Sequence, residues 1–187
     1  MVKKCIFTSL FFLALFNLAL YGQEKKQALP LFEQPLLVTS AGQSADLQLA
    51  SVLAKRAGLN FQLSKLATAK DLEKMKTLVL VLGASLKGLG EAGLDMEKEK
   101  ERVKLLVEEA QIRNIPLLCL HLGGESRRGQ LSDELASAFL PYAKMVILVE
   151  SGNKGGFFTR ICQEHNIPLI EVKKTAEAVT PFKEAFK

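Results

Sequence analysis

Three cysteines and two histidines in 187 residues are too few for a disulfide-built scaffold or a histidine-rich metal centre. Cys5 lies in an amino-terminal apolar run, so the rest of the chain carries Cys119 and Cys162. Cys119 stands among leucines, and Cys162 stands inside an apolar helical pattern. Both are expected as buried free thiols, which pack as small hydrophobes. His165 follows Cys162 at i+3, but two ligands do not make a zinc site, and a histidine at a helix end serves as a cap. No metal and no cofactor is expected. Aromatic residues make up 7% of the chain and the basic residues are dispersed, which excludes the clustered, aromatic-lined basic face of a nucleic-acid binder.

Several catalytic and nucleotide signatures are missing too. Ser40, Ser44 and Ser85 fall in turns, yet none sits in Gly-x-Ser-x-Gly. Gly83-x4-Gly88 lacks the Lys-Ser/Thr that completes a phosphate loop. Gly88-Leu-Gly90-Glu-Ala-Gly93 has the letters of a dinucleotide fingerprint without its context. The preceding strand ends near Gly83, and no acid follows about 20 residues on at a strand end.

The one long apolar run, Cys5 to Leu20, is roughly 16 residues, short of the about 20 a membrane-spanning helix needs. Lys3 and Lys4 precede it, and Tyr21-Gly22 and a polar segment follow. That order reads as a secretory signal peptide over residues 1–22, with an uncleaved anchor as the alternative. Cys5 lies too early to be lipidated. Cleavage would remove two lysines and no acid, lowering the net charge of +5 by two. The expected location is periplasmic or extracellular, with no stable membrane span after cleavage. Residues 23–34 read as a linker and residues 35–187 as one α/β domain.

Within that domain, short apolar runs alternate with helical patterns. Leu36–Thr39, Asn60–Leu63, Thr77–Leu82, Leu117–Leu120, Met145–Val149 and Leu169–Val172 predict about six strands. Thr77–Leu82 and Leu117–Leu120 are apolar on both faces, as parallel strands covered by helices on each side must be. Ser44 is expected to cap a helix whose core face holds Leu49, Val52 and Leu53. Asp95 starts a helix with the stripe Val103, Leu106, Val107 and Ala110. Glu97 to Arg102 read as its solvated face. Residues 83–93 read as a long loop, Ser132 as the cap of a helix over 133–140, and Thr180-Pro181 as the start of a short last helix. Asn114-Ile-Pro-Leu-Leu and Asn166-Ile-Pro-Leu-Ile repeat one helix-to-strand join, with Asn in the left-handed cap and Pro opening the strand. The fold expected is a doubly wound parallel sheet, flavodoxin-like or Rossmann-like.

The joins are asymmetric. Helix-to-strand joins are brief. Strand-to-helix joins, residues 39–44, 83–94, 121–131 and 150–156, hold most of the glycine and reactive side chains. In open α/β sheets that edge binds ligands. The ligand-binding candidates are Ser40, Gln43, Ser44, Ser85, Lys87, Gly123, Gly124, Glu125, Arg127, Arg128, Asn153 and Lys154. Helix amino termini and full positive charges together favour a small anionic or polar solute. The catalytic alternative is a hydrolase or transferase using His121 as base with Glu125 or Glu150. A third reading is a subunit that docks a cell-envelope protein.

Four segments, Thr39-Ser-Ala-Gly-Gln-Ser-Ala-Asp46, Gly83-Ala-Ser-Leu-Lys-Gly-Leu-Gly90, His121-Leu-Gly-Gly-Glu-Ser-Arg-Arg-Gly129 and Gly152-Asn-Lys-Gly-Gly-Phe-Phe-Thr159, resemble an uncharacterised family of small exported bacterial α/β proteins, a domain of unknown function. The resemblance implies the fold and export, and it brings no established activity.

Overall fold

The computed structural model describes residues 32–187. The expected signal peptide and most of the expected linker lie outside the described residues. The domain starts before Pro35, because Phe32 is already core. Its ring lies 5.5 Å from that of Phe186, and its N–H donates to the Ala185 carbonyl.

Six parallel strands form the sheet: β1 (Leu36–Ala41), β2 (Phe61–Leu63), β3 (Thr77–Leu82), β4 (Leu117–His121), β5 (Ala143–Val149) and β6 (Leu169–Val172). Their spatial order is β2-β1-β3-β4-β5-β6, and every pairing is parallel. This is the flavodoxin-type order, extended by one strand, rather than the Rossmann order. The helices are α1 (Asp46–Arg56), α2 (Leu86–Glu91), α3 (Met96–Ile112), α4 (Gln130–Phe139), α5 (Phe157–Glu164) and α6 (Val179–Glu184).

Alternate residues of each strand face opposite cores. Leu78, Leu80, Leu82, Leu117 and Cys119 face α3, α4 and α5. Leu36, Val38, Val79, Val81, Leu118 and Leu120 face α1 and α6. Each such fully buried aliphatic side chain contributes about 1.5–3 kcal/mol. Cys119 and Cys162 are free and buried. Burial pushes the Cys119 thiol above its ordinary range, reinforced by Cys162, and pushes the Cys162 thiol up to about 11.

Asn114 and Asn166 both take the left-handed conformation, at φ 56° and 54°, as the repeated join predicts. Other expectations shift. The buried face of α1 is Leu47, Ala50, Leu53 and Ala54, whereas Leu49 and Val52 are exposed. Residues 83–93 contain α2 rather than a continuous loop. Ser44 and Ser132 are not the caps of their helices. The Ser132 hydroxyl instead accepts from the Ala84 N–H and ties α4 to the β3–α2 turn.

The chain steps from β1 outward to β2, then returns past β1 to β3. Turns leaving β1 and β3 therefore diverge at their shared edge, which is the topological switch point.

Candidate functional site

The β1–α1 and β3–α2 turns are locked together across the switch point. Gln43 forms an isolated antiparallel bridge with Ala84, and the Ser85 N–H donates to the Gly42 carbonyl at 2.8 Å. Gly42 has φ +105°, and a Cβ there would lie 2.6 Å from both Ala84 Cα and the Gly83 carbonyl oxygen. Only glycine fits at that position. Gln43 follows with φ 58°, a left-handed conformation that is uncommon for its residue type.

Glu99 on α3 holds this turn from beneath. It is fully buried, and its Oε1 accepts from the Gly42 N–H at 2.8 Å and from Gln43 Nε2 at 2.9 Å. The Arg102 guanidinium donates to both Glu99 oxygens at 2.9 Å, and also to the Ala67 and Ser40 carbonyls. One ion pair thus joins α3 to β1 and to the segment after β2. The expected solvated face over Glu97–Arg102 is wrong for these two residues. Their reach back to the β1 turn puts them inside.

Above the interlocked turns opens a groove of ≈ 410 Å³. Gln43, Ser44, Ser85, Lys87 and Arg127 line it, and all five are among the sequence-derived candidates. The Ser85 hydroxyl caps α2 by accepting from the Gly88 N–H. Arg127 reaches over from the β4–α4 turn, with Nε donating to Asp46 Oδ1 at 3.2 Å. That is the hydrogen bond its guanidinium makes among the described residues.

Among the described residues, four buried side-chain atoms have no hydrogen-bond partner: Thr39 Oγ1, Ser40 Oγ, Gln43 Oε1 and Asp46 Oδ2. All four fall within residues 39–46, at the end of β1 and in its turn. Buried polar atoms are nearly always paired, and backbone strain gathers at functional positions. Both features meet here. A wider hollow, ≈ 510 Å³, opens at the opposite, amino edge between Glu33, Lys74 and Arg113. None of the four residues with unpartnered atoms lines it.

On the other half of the carboxyl edge the candidate side chains are taken up by packing and by ion pairs. His121 ends β4 at 1% exposure, with Nδ1 3.1 Å from the Leu82 carbonyl oxygen and Nε2 3.1 Å from that of Gly124. Its ring stacks at 4.9 Å on Phe158, and a Cβ on Gly152 would sit 2.6 Å from its Cδ2. Burial lowers the His121 pKa, opposed by those carbonyls and by Asp46. The expected pairing of His121 with Glu125 or Glu150 is not formed. Both ring nitrogens face main-chain oxygens, Glu125 pairs with Lys154, and Glu150 is exposed at the end of β5.

Arg128 is consumed as well. It makes a two-point ion pair with Asp133, donates to the Gly152 carbonyl and lies 4.5 Å over the Phe157 ring. The ion pair holds the Asp133 carboxyl below its ordinary range. Asn153 caps α5 through Phe158 N–H and Thr159 N–H and donates to Thr159 and Glu171. Glu125, Arg128, Asn153 and Lys154 therefore lie outside the groove. Gly123 and Gly124 give way to neighbouring side chains, Arg127 and Asp46 for the first and Ser151 for the second. Ser40 is buried beneath the turn. Sequence reasoning missed Thr39, Asp46, Lys65, Glu91 and Glu99. Asp46 and Thr39 lie inside one of the conspicuous segments, but nothing in the letters says that their oxygens are buried.

No group of three or more His, Cys, Asp or Glu side chains that could hold a metal ion occurs among the described residues, and no helix among them is long and apolar enough to cross a membrane.

No curated protein matches the chain. Among solved structures, a phosphomethylpyrimidine kinase from Clostridium difficile 630 is 12% identical, with a TM-score of 0.44 over 74% of this chain and 76% of its own. A putative acylhydrolase from Bacteroides fragilis is 12% identical, with a TM-score of 0.35 over 77% and 71%. A GDSL-like lipase from Bacteroides thetaiotaomicron is 12% identical, with a TM-score of 0.35 over 84% and 75%. Likeness at this level does not extend to chemistry, because one architecture hosts many activities. Across nearly the whole described domain, residues 33–186, the sequence matches the model of a domain of unknown function, DUF6305, and the chain belongs to that family.

Proposed function

We propose that this domain is an exported binding module that holds a small anionic or polar solute in the groove between the β1–α1 and β3–α2 turns. The observation that carries this reading is the clustering of the four unpartnered buried polar atoms within residues 39–46, around the left-handed Gly42 and Gln43, of which Gln43 lines the groove. The setting agrees with it. The groove lies at the switch point, where open α/β sheets bind their ligands. Lys65, Lys87 and Arg127 line it with Glu91, and Asp46 pairs with Arg127, so three cations face two carboxylates and the balance is positive. The hydrolase or transferase alternative has no such support, since His121 meets no carboxylate.

A thermal-shift screen of small anions and polar solutes tests the reading. Any solute binding here raises the melting temperature, and no stabilisation by any of them contradicts it. Lys87→Glu sharpens the test. The Lys87 side chain is 87% exposed and its ion pair with Glu91 spans 3.9 Å, so the substitution leaves the unliganded melting temperature unchanged. It should weaken binding of an anionic hit at least about tenfold, the equivalent of about 1.4 kcal/mol, by isothermal titration calorimetry.

A further inference from the structure

We infer that the solute class is a small carboxylate that also carries hydroxyl or ammonium donors, an α-hydroxy or α-amino acid rather than a simple anion. The inference rests on the groove reading above and deepens it.

The rim of the groove calls for one negative charge. Lys65 and Lys87 are exposed there, and Asp46 engages Arg127 through Nε alone. The terminal nitrogens of Arg127 remain available to a carboxylate in the two-point geometry that guanidinium favours.

The floor calls for donors. Gln43 Nε2 donates to the Lys65 carbonyl at 3.2 Å and to Glu99 Oε1 at 2.9 Å. Both partners are acceptors only, so the amide cannot flip without setting oxygen against oxygen. Its Oε1 is thereby fixed as an acceptor with no donor, on a residue 2% exposed that lines the groove. Asp46 Oδ2 is a second buried acceptor without a donor, beside Gly83 and Gly123 at the foot of Arg127. A plain carboxylate brings only acceptors and leaves Gln43 Oε1 unmatched, and a phosphate dianion has a single P–OH donor, too few for both Gln43 Oε1 and Asp46 Oδ2. A neutral polyol brings donors but ignores the cationic rim. A hydroxy- or amino-carboxylate answers both.

Size agrees. An open groove of ≈ 410 Å³ has room for a small acid.

Calorimetric titration of the full-length protein with four three-carbon probes tests the class: glycerate, serine, propionate and glycerol. Glycerate or serine should bind at least tenfold more tightly than propionate, and glycerol should not bind. Gln43→Met should erase the preference, so that within the variant glycerate and serine bind no more tightly than propionate. Because Gln43 also braces Glu99, the variant's melting temperature is recorded, and the wild-type comparison stands if the variant does not fold. Propionate binding as well as glycerate and serine overturns the donor requirement. Glycerol binding as well as glycerate overturns the anion requirement. If none of the four binds but inorganic phosphate stabilises the protein, the class is wrong and the groove reading survives. If no solute in the wider screen binds either, the groove reading itself fails.

Discussion

Glu99→Ala should lower the unfolding free energy by about 3–5 kcal/mol, the cost of removing one member of a buried ion pair. The substitution strands Arg102, whose side chain is only 12% exposed, and leaves the Gly42 N–H without its acceptor. Gln43 Nε2 keeps its bond to Lys65, but its anchor in the core is lost. Urea denaturation followed by circular dichroism measures the change, with Glu97→Ala as the control. Glu97 lies exposed in the first turn of the same helix and should move stability by no more than about 0.5 kcal/mol. A Glu99→Ala protein as stable as that control would mean that Glu99 does not hold the β1 turn, and the account of how the groove is built would fail with it.

Gly42→Ala should be nearly as damaging, through two separate costs. Its φ of +105° is foreign to a residue with a side chain, a strain of about 1–3 kcal/mol. The added Cβ also meets main-chain atoms of Gly83 and Ala84 at 2.6 Å, and forced overpacking costs about 1–3 kcal/mol more. Since the atoms it meets are backbone, no rotamer change relieves the contact, and the two turns must separate. The expected result is a lower midpoint in urea together with loss of solute binding. Gly93→Ala is the discriminating comparison. It carries the same kind of positive φ, +69°, but its Cβ would meet nothing within 4 Å. Equal effects from the two substitutions would show that the contact between the turns contributes nothing.

The sequence made the sheet legible because its central strands are apolar on both faces. Thr77–Leu82 admits no other reading, and the observed strand has those bounds. The Asn-Ile-Pro joins were legible for a similar reason, since few residues tolerate the left-handed cap. Strand order was not, because local pattern carries no record of which strands meet. Helix α1 was misphased because two small alanines, Ala50 and Ala54, define its buried face, while the larger Leu49 and Val52 look outward. Large apolar side chains draw the eye, but a helix packed closely against a sheet needs small ones.

Glu99 was misread for a different reason. It sits in a Glu-Lys-Glu-Lys-Glu-Arg run that has the composition of a solvated face. Its position tells otherwise, since Glu99, Val103, Leu106 and Ala110 share one stripe of the helix, and all four are buried. A charge on a core stripe marks a buried pair, and its partner Arg102 stands three residues on. The split of the carboxyl edge into an open groove and a half whose charged side chains pair with one another was not legible at all. It depends on which carboxylate each cation finds. Arg127 and Arg128 are adjacent in sequence, yet one holds Asp46 at the groove and the other is locked to Asp133 and the Phe157 ring.

The account turns on one location, and amide chemical-shift mapping of the protein against a library of small hydroxy and amino acids addresses it most directly. The account predicts that shifts for any binding solute gather on residues 42–48, 85–91 and 127, which line or adjoin the groove. Shifts gathered instead around Glu33, Lys74 and Arg113 at the amino edge, or a library that moves no amide, would contradict it.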